Sequence, residues 1–272
     1  MRHWILASTL VLSTALTADA TPRAEGLLTA IGADKMIELM RVEGLEYGAG
    51  LADDMFPGRG GDRWEKMVSD IYDVDRMMAT FIDGFATSFD EEYFAPVEDF
   101  YASEIGKEVV ALELATREAF LEEGIEDAAR DAIPGFEENR PETFAKVAEF
   151  IEINSLIDEN VIGALNANFA FMTGLSDGGG FPTDLTQNQI LNDVWAQEAE
   201  IRQNSTEWLF AYLLMAYSSL PDEDMEQYLE LSRSQAGQAL TRALFEGFDD
   251  MFVEISRDLG IAASQFMAGE EL

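Results

Sequence analysis

The chain has 272 residues, among them 53 Asp or Glu and 17 Lys or Arg, for a formal net charge of -36. It has no cysteine, and its one histidine is His3. Beyond residue 3 this excludes Ser-His-Asp triads, thiol nucleophiles, disulfides, haem held by His and zinc sites of the His/Cys type. The charge repels nucleic acid and anionic lipid headgroups. With 47% apolar residues the chain has enough to bury a core and is not an acidic disordered tail.

Residues 1–20 read as a secretory signal peptide. Met1-Arg2-His3 is a basic start, and Trp4 to Thr17 is an apolar run too short to span a membrane. Ala18-Asp19-Ala20 is a small-x-small cleavage site. The expected mature protein begins at Thr21, keeps the charge of -36 because Arg2 and Asp19 leave together, and is soluble in the periplasm. It loses His3.

Strand-like alternation is nearly absent, so the sequence predicts an all-α fold. Ala33 to Val42 is a short amphipathic helix, loosened by Gly44, Gly48 and Gly50. Pro57 to Gly61 is a loop. From a cap at Asp62, the residues Trp64, Met67, Ile71, Val74, Met78, Phe81 and Phe85 form one seam, which predicts a single long helix. Ser88 to Glu92 reads as the cap and acidic first turn of a helix bearing Phe94, Val97, Phe100 and Tyr101. The next stripe is Ile105, Val109, Leu112, Ala119 and Phe120, in a helix expected to end at Pro134-Gly135. Pro141 opens another helix, and Leu156 to Met172 is an uncharged, buried one after Glu159. Ser176 to Pro182 is a loop; Gln187 to about Ser218 is predicted as one helix. Pro221 opens the next, and Leu240 to Leu259 carries a stripe of about six turns.

Two stretches organise this series. In Phe100-Tyr101-Ala102-Ser103-Glu104-Ile105-Gly106 and in Leu231-Ser232-Arg233-Ser234-Gln235-Ala236-Gly237, an apolar helix end runs into Ser-x-x-Gly. Ser103 and Ser234 are placed as N-caps for the amides of Gly106 and Gly237. Glycine is a poor helix former at such a position, and close approach of the preceding helix is the reason to keep it. Between residues 31 and 106, a shift of 131 gives eleven identities without a gap, including Trp64 with Trp195 and both residues of each corner. The expected architecture is therefore helical hairpin or bundle units duplicated in tandem, residues 21–135 and 136–272. The copies differ on the seam, where Glu198 and Arg202 replace Met67 and Ile71.

The run from Ser88 to Val109, SFDEEYFAPVEDFYASEIGKEV, resembles the signature of the DUF2059 proteins, exported bacterial proteins of unassigned function. Glu91, Glu92, Phe100, Tyr101, Ser103, Gly106 and Lys107 match that signature, and the second copy matches at Glu223, Ser234, Gly237 and Gln238. The second copy has Leu231-Ser232 in place of the Phe-Tyr pair, and both copies lack the usual Pro after the Ser. The resemblance implies a helical fold and an envelope location, with no activity and no catalytic residues.

Two function classes remain. A non-catalytic binding or scaffold module would hold an envelope protein or an apolar ligand, with no cofactor. Its expected recognition surface is Glu198, Arg202 and the loop Asp177 to Asp184. A carboxylate- or metal-dependent enzyme without His or Cys is the alternative, drawing on Asp53-Asp54, Asp222-Glu223-Asp224 or Asp249-Asp250. None of these has the order of a calcium loop, and the chain is rich enough in acids to make adjacent pairs by chance. The binding module is the preferred reading.

Overall fold

The computed structural model describes residues 17–181 and 185–267. Most of the expected signal peptide and part of the loop Asp177 to Asp184 lie outside them. The described residues form thirteen α-helices and one 3-10 turn, with no strand. The helices are α1 (Thr17–Ala30), α2 (Ala33–Met55), α3 (Gly61–Ile71), α4 (Val74–Ser88), α5 (Phe94–Ala102), α6 (Glu104–Ala119) and α7 (Ile125–Asn139). They continue as α8 (Pro141–Ile153), α9 (Leu156–Asp177), α10 (Gln187–Trp195), α11 (Glu198–Tyr217), α12 (Asp222–Arg233) and α13 (Gln235–Met267).

Asp62 lies in the first turn of α3 behind Gly60 rather than capping it, and Ser88 is the last residue of α4 rather than a cap, with Glu91 and Glu92 in the 3-10 turn before α5. Four further boundaries differ from the sequence reading. The helix after Gly32 does not loosen at its glycines. It runs on to Met55, because Gly44 and Gly48 are where the Tyr72 ring and the Val68 side chain press against it. The long seam is two helices. Asp73 caps α4 by accepting from Arg76 N at 3.0 Å, and Arg41 reaches from α2 to the Ser69 carbonyl at 2.8 Å and to that of Tyr72. A cation on the last carbonyls of α3 satisfies groups that a continuing helix would otherwise use. The helix after the first corner ends early, at Ala119; Gly124, at a φ of 80°, precedes a new helix, and Pro134 and Gly135 lie inside that α7. The predicted helix from Gln187 to Ser218 breaks after Trp195, where Gln197 donates to the Asp193 carbonyl.

α13 is the central element. It packs most extensively on α9 and α4. Both crossings run through small residues. A Cβ on Gly84 would lie 2.9 Å from Gly247 Cα, and one on Gly174 would overlap the backbone of Arg257. Glycines facing one another let two helix backbones approach without side chains between them.

The expected division at 135/136 does not separate the two main cores. One core joins α1 to α5 with α13, through residues such as Leu27, Trp64, Phe81, Phe94, Leu240 and Ile255. The other joins α6 to α8 with α11 and α12, through Val109, Val147, Leu213, Tyr217 and Leu229. Phe100 and Leu231, the last apolar residues before the two corners, pack against both cores.

Candidate functional site

The two corners have the same geometry. Ser103 Oγ accepts from Gly106 N at 3.0 Å and donates to the Phe100 carbonyl at 2.6 Å. Ser234 Oγ accepts from Gly237 N at 3.0 Å and donates to the Leu231 carbonyl at 2.6 Å. Both serines have extended backbone angles, as an N-cap requires. Neither glycine has room for a Cβ, which would stand 2.6 Å from Tyr101 Cα at the first corner and 2.7 Å from the Leu231 carbonyl carbon at the second. Ser103, Gly106, Ser234 and Gly237 thus serve chain direction and helix contact.

The two tryptophans part company. Trp64 lies in the first turn of α3, is 2% exposed, and donates Nε1–H to the Gly48 carbonyl at 2.8 Å. Phe56 and Phe266 pack edge-on against it. Trp195 does not start a helix; it is the last residue of α10 and is 64% exposed. Leu191, one turn before it, is also exposed. Ile190 and Val194 pack inward on Val161 and Leu165 of α9, so α10 buries one half of its apolar stripe and leaves the other open.

Glu198 and Arg202 follow directly on α11. Arg202 Nε donates to Glu198 at 2.6 Å, and its Nη1 donates to Asp158 of α9 at 2.6 Å. Arg202 is 43% exposed and Asp158 66% exposed, so these are surface ion pairs of small stabilising effect. The structure therefore brings Trp195, Leu191, Glu198 and Arg202 to the end of α10 and the start of α11. The four corner residues and Trp64 lie elsewhere. Arg257 holds Asp177, the first residue of the expected recognition loop, at 2.8 Å.

A second cluster escaped the sequence reading. Glu113 of α6 accepts from the hydroxyls of Tyr217 on α11 and Tyr228 on α12, both at Oε1, the latter at 3.2 Å. Tyr212 of α11 donates to the Glu113 carbonyl at 2.9 Å. Tyr101 of α5 stands beside Tyr228. Four of the seven tyrosines of the chain thus meet around one carboxylate. Burial pushes the Glu113 carboxyl up, and the hydroxyls of Tyr217 and Tyr228 draw it partly back. Burial also pushes all four phenols up, with the Glu113 charge adding to the effect. The sequence signal was position 113 itself: it falls one turn after buried Val109 and three residues before buried Thr116, a carboxylate on an apolar stripe.

Comparison with known proteins bears on one part of the chain. Residues 75–134 match the DUF2059 family model, described as an uncharacterized protein conserved in bacteria. The DUF2059 segment runs from the first turn of α4 through the first corner and α6 into α7, so it holds Tyr101, Ser103, Gly106 and Glu113. The DUF2059 match does not reach the second corner, Trp195 or the tyrosines of α11 and α12. No curated protein and no solved structure matches the chain.

Proposed function

We propose that the chain is an exported, non-catalytic binding module of the periplasm, built from two copies of one helical unit, with its recognition surface at the end of α10 and the start of α11. The observation that carries the binding reading is the exposure of Trp195 next to exposed Leu191. A large aromatic side chain left in water, beside a hydrophobic neighbour and a rim of charged groups, is the composition of a protein–protein anchor rather than of an ordinary surface.

The helix contacts support the two-copy reading. If α1 to α5 correspond to α8 to α12, and α6 with α7 to α13, many of the packing pairs correspond as well, although the extensive α9–α13 crossing has only the slighter α2–α6 contact as its counterpart. α1 packs on α4 and α8 on α11; α2 on α3 and α9 on α10; α5 on α6 and α12 on α13. The crossing pairs also match, α4 on α13 and α11 on α6 and α7. Each copy lends its last helical segment to the core of the other. The matching corners fit the same reading. No described helix is long and apolar enough to cross a membrane, which is consistent with a chain exported whole.

The test places a photo-crosslinking residue at position 191 in cells and compares the parent with Trp195→Ala and with Glu198→Ala/Arg202→Ala. The expected result is a crosslinked envelope partner that Trp195→Ala abolishes, with thermal stability changed by no more than about 0.5 kcal/mol, as for any surface substitution. A crosslink that survives Trp195→Ala removes this surface. Mass spectrometry of the same protein should find Thr21 at its N-terminus, and retained residues 1–20 would refute export by cleavage.

A further inference from the structure

The Glu113 cluster ties together parts of the chain that are far apart in sequence. Its carboxylate comes from α6, its hydroxyls from α11 and α12, and Tyr101 of α5 closes the group. The aromatic shell continues through Phe150, which lies 4.9 Å from the Tyr228 ring, and Phe100, stacked on Tyr228 at 5.5 Å. Phe100 is also one of the two residues that touch both cores. The cluster sits where the cores join.

Among the described residues no cation pairs with the carboxylate. Arg117 lies one turn further along α6, but it pairs with Glu43 of α2 and stacks over Trp208 of α11 at 5.1 Å. Glu43 has Glu46 of α2 and Glu126 of α7 near it, so these neighbours add negative charge. The other titratable groups facing Glu113 are the phenols of Tyr101, Tyr212, Tyr217 and Tyr228. The two hydroxyl bonds both land on Oε1, and among the described residues no donor reaches Oε2. A proton on Oε2 therefore leaves every bond of the cluster in place. The neutral acid keeps the network and drops the cost of a charge that no cation offsets on a partly buried side chain enclosed by buried tyrosines.

We propose that Glu113 and its tyrosines form a pH-responsive latch between α6 and the α11–α12 pair, closed most firmly when Glu113 carries a proton. The sign follows from the direction of the shift. A carboxyl raised above its unfolded range contributes its full stabilisation below that range, about pH 4.3 for Glu. It loses that contribution as the pH rises through the folded value. Acidification then tightens the joint between the cores, and alkalinity loosens α11 and α12 from α6. The latch rests only on the cluster and stands whether or not the recognition surface of α10 binds a partner.

The experiment is a side-chain carboxyl NMR titration of the full chain, labelled at glutamate, between pH 4 and 8. The parent should show one carboxyl that titrates above all the others and is missing from Glu113→Gln. All carboxyls titrating together would overturn the proposal. Tyr217→Phe removes a donor to Oε1 and should move that midpoint further up; an unmoved or lowered midpoint would also overturn it. Hydrogen exchange, corrected for its intrinsic pH dependence, gives the mechanical readout. Protection of α11 and α12 relative to α1 and α2 should fall from pH 5 to pH 8 in the parent, by up to about tenfold for each unit that Glu113 lies above the ordinary value. An equal change in Glu113→Gln would refute the latch, and the NMR arm decides the matter if that variant does not fold.

Discussion

Adding one methyl group at the first corner tests the fold's most repeated device. In Gly106→Ala the new Cβ would lie 2.6 Å from Tyr101 Cα and 2.9 Å from the Phe100 carbonyl carbon. Carbon atoms in contact sit about 3.5–4.0 Å apart, so roughly 1 Å must be found. All of the obstructing atoms are backbone, which rules out relief by a side-chain rotation. Opening the corner would stretch the Ser103 cap and shift Phe100 and Tyr101, which pack on the joint between the cores. Overpacking of this kind costs about 1–3 kcal/mol, and the backbone character of the clash places it at the upper end. Against that, alanine in place of glycine inside a helix gains about 1 kcal/mol. The net loss is about 1–2 kcal/mol, and at about 2–4 °C per kcal/mol for a chain of this size the thermal midpoint should fall by roughly 2–8 °C. Gly237→Ala should behave alike, since its Cβ would stand 2.7 Å from the Leu231 carbonyl carbon. Gly50→Ala is the control: Gly50 is exposed in α2 with nothing within 4 Å of a Cβ, so only the helix-forming gain applies. Differential scanning calorimetry or circular dichroism melts of the three variants supply the comparison. A Gly106→Ala midpoint equal to or above the parent's would show that the two helices do not meet at the corner.

Two further outcomes are expected. Trp64→Phe should lose about 1–3 kcal/mol through a lost hydrogen bond to Gly48 and an underfilled site, while Trp195→Phe should stay within about 0.5 kcal/mol, and equal effects in denaturant melts would contradict their different burial. With a net charge of -36, added salt should raise the thermal midpoint by screening repulsion, and a fall between low and seawater-like salt would contradict that account.

The sequence by itself settled what depends on a few neighbouring residues. Helix class follows from apolar spacing, and the cap at Ser103 is a contact between residues three apart, so Ser-x-x-Gly was enough to expect it. The glycine at each corner was legible for the same reason, as a residue with a helix cost and no side chain to justify it. Tertiary structure decided the rest. The break after Ile71 has a local half, the Asp73 cap, and a distant one, Arg41 reaching from another helix, and the spacing of the seam records neither. The gapless register that pairs Trp64 with Trp195 says nothing of burial; Phe56 and Phe266 cover the first, and no described residue plays that part for the second. Glu113 shows the limit most directly. Its position on an apolar stripe was visible, but its partners lie about a hundred residues downstream on α11 and α12. Only the packing of α11 and α12 around α6 brings their hydroxyls to one carboxylate oxygen.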